Sequence, residues 1–207
     1  MTRIILVRHG RSMANMEDVF RGVTETPLSP LGHQQAEAVA DYLTAHEKID
    51  RIYASPLSRA VDTVMPTAKR LGLHVTPDRG LIEVDGGLWE GLPFAGLTEL
   101  YPEEFDRWCN DPRNACPTGG ESLRDLYARV LDCIKRLASG NDGKTLLIGS
   151  HMTPVRALLI EALFGTVEKY TREVKVPNAS IHILRFENGT LTPEKISITE
   201  HLGEDLL

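Results

Sequence analysis

Two histidines sit in matched places. Ile4-Ile5-Leu6-Val7 runs into Arg8-His9-Gly10, and Thr145-Leu146-Leu147-Ile148 runs into Gly149-Ser150-His151. Apolar runs without polar alternation read as parallel strands covered on both faces. In open α/β sheets, ligands bind beyond the carboxyl ends of such strands. If the two strands are neighbours, both imidazoles face one cleft. A single histidine at a strand end ordinarily serves structure, but two placed alike, with Arg8 beside one of them, point to chemistry. Arg59 follows Ser55-Pro56 in the first turn of an expected helix. The helix dipole disfavours a cation there, unless an anion is held between guanidinium and helix end. Alone, Arg59 reads as a surface arginine. Together, Arg8, Arg59, His9 and His151 suit a doubly charged tetrahedral oxyanion, with phosphate the natural candidate.

Other chemistries find no support. Ser122 and Ser139 stand six residues after Cys116 and Cys133, so a C-x5-R cysteine-phosphatase loop is absent. The three cysteines, Cys109, Cys116 and Cys133, form no C-x-x-C pair and read as reduced thiols. No H-E-x-x-H, paired-histidine or Walker spacing occurs, so neither a catalytic metal nor a cofactor is expected. With 23 Lys+Arg against 29 Asp+Glu, the net charge is −6, a poor basis for a nucleic-acid or membrane-surface partner. No apolar run approaches the ~18 residues of a membrane helix. The chain reads as cytoplasmic, with a small phosphate ester as its partner and a homodimer left open.

The elements that must position these residues are legible. Ser29-Pro30, Ser55-Pro56 and Thr153-Pro154 each pair an N-cap residue with a proline at the first helical position. Ala36, Val39, Ala40 and Leu43 give one apolar helix face; Val61, Val64 or Met65, Ala68 and Leu71 give another. A third helix is expected over 122–138, opened by a capping box of Ser122 and Asp125. Near the end, Asn188-Gly189 predicts a hairpin turn between strands over 180–186 and 191–198. Strands alternating with helices imply an α/β fold: a three-layer α/β/α sandwich with a mainly parallel central sheet. The 207 residues fit a single domain. The stretch over about 86–120, with four prolines and both tryptophans, is expected to be a folded insertion over the active site.

Leu6-Val7-Arg8-His9-Gly10-Arg11-Ser12 with Asn15 resembles the R-H-G-x-S-x-x-N signature of the histidine phosphatase superfamily, the family of phosphoglycerate mutases and related phosphatases. Further segments follow in order: Pro27-Leu28-Ser29 with Gly32 and Gln35-Ala36; Ser55-Pro56-Leu57-Ser58-Arg59-Ala60 with Thr63; Leu81-Ile82-Glu83 with Gly87-Leu88-Trp89-Glu90-Gly91; Gly119-Gly120-Glu121-Ser122; Ser150-His151; Asn178-Ala179-Ser180-Ile181; and His201-Leu202. The likeness spans essentially the whole chain. It departs at Arg11, where the family usually carries Glu, Gln or Ala, and at Met152-Thr153, where a glycine usually follows the second histidine. Backbone N–H donors survive both changes, so the departures bear on leaving-group specificity. Arg11 is read as solvated.

The resemblance implies a phosphoglycerate mutase-like fold and a phosphatase acting through a phosphohistidine. His9 would be the nucleophile, Arg8, Arg59 and His151 would neutralise the phosphoryl oxygens, and Glu83 would serve as acid and then base. Asn15, Arg21, Gly22 and Met152 would contact the substrate. A phosphatase is expected over a mutase because only six residues follow His201 and the Glu83 region reads as the phosphatase version. A regulatory or phosphoprotein-directed relative is the third reading.

Overall fold

The computed structural model describes residues 1–206. Its sheet has six strands in the order β3-β2-β4-β1-β5-β6: β1 (Thr2–Arg8), β2 (Arg51–Ala54), β3 (Val75–Pro77), β4 (Thr145–Ser150), β5 (Ile181–Glu187) and β6 (Thr190–Ile198). β1, β2, β3 and β4 run parallel, and β5 and β6 join antiparallel at one edge. The helices are α1 (Pro30–His46), α2 (Ser58–Leu71), α3 (Phe94–Leu100), α4 (Pro102–Asn110), α5 (Leu123–Ser139), α6 (Met152–Phe164) and α7 (Gly203–Leu206).

The apolar runs of β1 and β4 have the physical cause expected of them. Side chains alternate between the two faces of a strand, and both faces are covered. Ile4, Leu6, Leu146 and Ile148 enter one core with Leu126 and Ile134 of α5 and Leu159 of α6. Ile5, Val7 and Leu147 enter the other with Val39 and Leu43 of α1 and Val64 of α2. With both faces dry, no polar residue is tolerated until the strand ends. Gly149 brings α2 against β4: a Cβ there would lie 2.9 Å from the Ala60 carbonyl oxygen, so a larger residue would push away the helix that carries Arg59. The hairpin falls at Asn188 and Gly189, both at positive φ (50° and 81°), as a primed turn demands.

Three details differ from the sequence reading. Ser55 does not cap α2; the helix starts at Ser58 with Leu57 at the N-cap, and the Glu25 carboxylate accepts the Ser58 N–H instead, at 3.0 Å. α6 begins at Met152 with His151 at its N-cap, ahead of Thr153-Pro154. Within 86–120, for which the sequence predicts a folded insertion without naming helices, the chain forms two short ones, α3 and α4. Ser29 and Ser122 do cap their helices, accepting from Gly32 and Asp125.

Candidate active site

Parallel pairing of β1 with β4 sets Arg8 opposite Ser150, so the next residues on each strand, His9 and His151, stand side by side. Their ring centroids are 5.2 Å apart and the planes are tilted by 59°. His9 Nδ1 lies 2.7 Å from the Gly10 carbonyl oxygen. A carbonyl only accepts, so Nδ1 carries the proton and Nε2 keeps its lone pair. Burial, reinforced by Arg8 and Arg59, holds this imidazole well below its usual pKa. It is therefore neutral at pH 7, with an unprotonated nitrogen.

His151 is fully buried beside His9. Its Nε2 lies 2.7 Å from Ser55 Oγ. Ser55 Oγ already accepts the Leu57 N–H at 3.4 Å, which leaves its own proton to donate to Nε2. In that tautomer Nδ1 is an N–H donor, and this buried atom has no protein partner. Burial, then His9 and the arginines, lower the His151 pKa.

Arg8 and Arg59 flank the pair. Arg8 donates Nη1 to the Val176 carbonyl at 2.6 Å, and its buried Nε is unpartnered. Burial pushes its pKa down to about 10, against the pull of Glu83, so it stays cationic at neutral pH. Arg59 is buried and donates to the carbonyls of Thr24 (3.0 Å) and Gly22 (2.6 Å). Glu90 holds that carbonyl-bearing loop. Its carboxylate accepts the N–H groups of Gly22, Val23 and Gly86 at 3.0 Å each and that of Thr24 at 3.3 Å. Glu90 thus fixes Arg59 at one remove. Glu90→Gln turns an NH2 group toward N–H donors, and should lower unfolding stability by about 2–3 kcal/mol, the scale for leaving buried donors unsatisfied. Urea denaturation checks this; a variant as stable as the parent would show that the loop stands without the carboxylate.

His9, Arg8 and Arg59 open onto a cleft of about 240 Å³, whose wall also includes Glu83, Asn15, Arg21 and Met152. Glu83 is buried, with Oε1 accepting the Val84 N–H at 2.9 Å and Oε2 the Thr153 N–H at 3.3 Å. Asn15 Oδ1 accepts from Ser12 N–H at 3.0 Å and from Asn178 Nδ2 at 3.3 Å, which leaves its own amide N–H donors free. Arg21 meets Glu17 only at 3.5 Å, and its buried Nε is unpartnered. Gly22 is not in the wall; both its backbone groups are taken, by Glu90 and Arg59. Arg11 lines a neighbouring hollow shared with Arg8, Asn15 and Gln35. The far wall is aromatic, with Phe20, Phe94 of α3 and Trp108 of α4. Trp89 is instead core, packed edge-on to Phe20 and Trp108.

Sequence reasoning passed over Ser55 and Glu90 as supports of the site. The proline after Ser55 favours a helix cap, and that local signal hides its contact with His151. Among the described residues, no three His, Cys, Asp or Glu side chains are grouped to hold a metal ion, and no helix is long and apolar enough to cross a membrane.

This arrangement can bind a dianionic tetrahedral group against Arg8, Arg59 and the free His151 N–H, with the His9 lone pair beside it. The comparisons with known proteins agree in kind. The family model of the histidine phosphatase superfamily (branch 1) matches residues 4–199. Phosphoserine phosphatase 1 from Hydrogenobacter thermophilus is 34% identical over 204 residues, which cover 99% of this chain and 96% of that protein. The adenosylcobalamin/alpha-ribazole phosphatase of Salmonella typhimurium is 34% identical over 189 residues, 90% of this chain and 87% of that one. Among solved structures, phosphoserine phosphatase from Entamoeba histolytica, in complex with 3-phosphoglyceric acid, matches with a TM-score of 0.84 at 28% identity, covering 98% of this chain and all (100%) of that chain.

Proposed function

The chain belongs to the histidine phosphatase superfamily (branch 1), and from that premise we propose that it hydrolyses small-molecule phosphomonoesters through a phosphohistidine at His9. The observation that carries this reading is the neutral His9 imidazole, its Nε2 lone pair set among Arg8, Arg59 and His151.

Nε2 attacks phosphorus in line, and the bond to the ester oxygen breaks. That oxygen takes a proton from Glu83 and leaves as the alcohol. Arg8, Arg59, His151 and the Asn15 amide hold the equatorial oxygens, which is where positioning and electrostatics lower the barrier. In the second half, Glu83 takes a proton from water, the oxygen attacks phosphorus, and the N–P bond breaks. Inorganic phosphate departs, and His9 and Glu83 return to their starting protonation. Arg21 and Met152 face the leaving group, and Gly22 acts through the carbonyl that steadies Arg59. The segment over 86–120 serves as a cover whose Phe94 and Trp108 wall the leaving-group side.

Purified protein should release phosphate from a panel of small phosphomonoesters without added 2,3-bisphosphoglycerate. Efficient interconversion of 2- and 3-phosphoglycerate with little phosphate released would overturn the hydrolase reading in favour of a mutase.

A further inference from the structure

Side chains, not backbone pairing, hold the segment that leads into Glu83. Among the described residues, the carbonyls of Gly80, Leu81 and Ile82 accept no backbone N–H from a turn or loop. Arg129 of α5 donates Nη1 to the Gly80 carbonyl at 3.0 Å and to the Ile82 carbonyl at 3.1 Å. Ser150 Oγ, at the end of β4, donates to the Leu81 carbonyl between them at 2.7 Å. The segment lies close on α5: a Cβ at Gly80 would sit 2.6 Å from the Cβ of Cys133, which stands one turn after Arg129 on the same helix face.

Arg129 is itself locked. Its Nε donates to Glu121 Oε1 at 2.8 Å and its Nη2 to Oε2 at 2.7 Å, the two-pronged pairing that a planar guanidinium makes with a carboxylate. Glu121 also grips the chain beyond Glu83, because its backbone N–H donates to the Asp85 carbonyl at 2.9 Å. Gly120 permits that approach: a Cβ there would lie 2.3 Å from the same oxygen. In Gly119-Gly120-Glu121-Ser122, the serine caps α5, and capping leaves the Glu121 side chain without a task. The Glu83 carboxylate needs the help. Of its two contacts, Val84 N–H moves with Glu83 itself, and Thr153 N–H on α6 is reached only at 3.3 Å. The placing of the carboxyl against His9 therefore falls to the backbone on either side.

We infer that Arg129, locked by Glu121, is the positioning residue for Glu83 and sets its carboxyl where it can protonate the departing oxygen. Every Arg129 nitrogen is directed at a carbonyl or at Glu121, so it acts through Glu83 and not on the substrate. The inference rests on the reading of Glu83 as the acid.

The test uses leaving groups of different basicity. Displacing a catalytic group by about an ångström costs about 10²-fold. Arg129→Met keeps the stem on α5 and removes the fork. It should slow phosphorylation of His9 by alkyl phosphates at least tenfold more than by p-nitrophenyl phosphate, whose leaving group needs no proton. In the Glu83→Gln background the same substitution should add no such discrimination, because no acidic proton remains to misplace. Arg129→Lys, which keeps the charge and loses the fork, should fall between and supplies the comparison if the methionine variant does not fold. Equal losses on both substrates, or the same extra discrimination in the Glu83→Gln background, would make the pair a general prop of the fold and overturn its role alone. A Glu83→Gln protein that itself loses equally on both substrates would overturn the assignment of the acid and this inference with it.

Discussion

Replacing His9 with alanine should lower kcat by more than ~10³, the scale seen when a nucleophile is deleted. Rapid quench of the parent protein with labelled substrate should trap acid-labile, base-stable label on His9, and the variant should trap none. The expectation follows from the tautomer. The Gly10 carbonyl accepts a hydrogen bond from Nδ1–H, burial and the two arginines keep the ring neutral, and the free nitrogen needs no base to activate it. His151 cannot stand in. Its Nε2 lone pair accepts the Ser55 hydroxyl and its Nδ1 carries the proton, so neither nitrogen is free to attack. The alanine variant should still fold, since His9 is the only side chain removed and the β1–β4 pairing uses backbone groups. Normal turnover by that variant, or label on no histidine, would end the phosphohistidine mechanism.

How much of this was legible follows from where the constraint lies. The β1 and β4 runs are readable because two dry faces forbid polar residues over four consecutive positions, and His9 and His151 are readable because they break those runs at the same end. β2 and β3 left no such mark. They are four and three residues long, and β3 lies at the sheet edge beside β2 alone, with little apolar surface to demand a pattern. Ser55 shows a local signal overruled by tertiary contact: Ser-Pro before an apolar helix favours a cap, but the buried His151 needs a partner for Nε2 more than α2 needs one for an end that Glu25 already satisfies. Glu90 steadies Arg59 through contacts to Gly22, Val23 and Thr24, 66 to 68 positions away, and spacing along the chain carries no trace of that. The short helices α3 and α4 were hidden for another reason: too few turns intervene between prolines for a 3.6-residue period to show.

Glu83→Gln should separate substrates by the basicity of their leaving group. An alkoxide from an ordinary alcohol cannot leave unprotonated, whereas p-nitrophenolate can. General-acid help is typically worth ~10²–10⁴ in rate, so the variant should lose about that factor in phosphorylation of His9 by alkyl phosphates and much less with p-nitrophenyl phosphate. The position suits the task. Each Glu83 oxygen accepts one backbone N–H, from Val84 and Thr153; these fix the group while leaving room on the cleft side. Glutamine keeps the size and one acceptor but carries no acidic proton, so the fold should survive while the transfer does not. The measurement belongs in the pre-steady-state burst, because Glu83 also serves the water step and steady-state kcat mixes the two. Equal losses for both substrates in the burst would remove Glu83 as the acid. Neither Glu90, whose oxygens are spent on loop N–H groups, nor Asp85, which caps Gly87, lines the cleft. Asp18, the other carboxylate in its wall, would then be the group to replace.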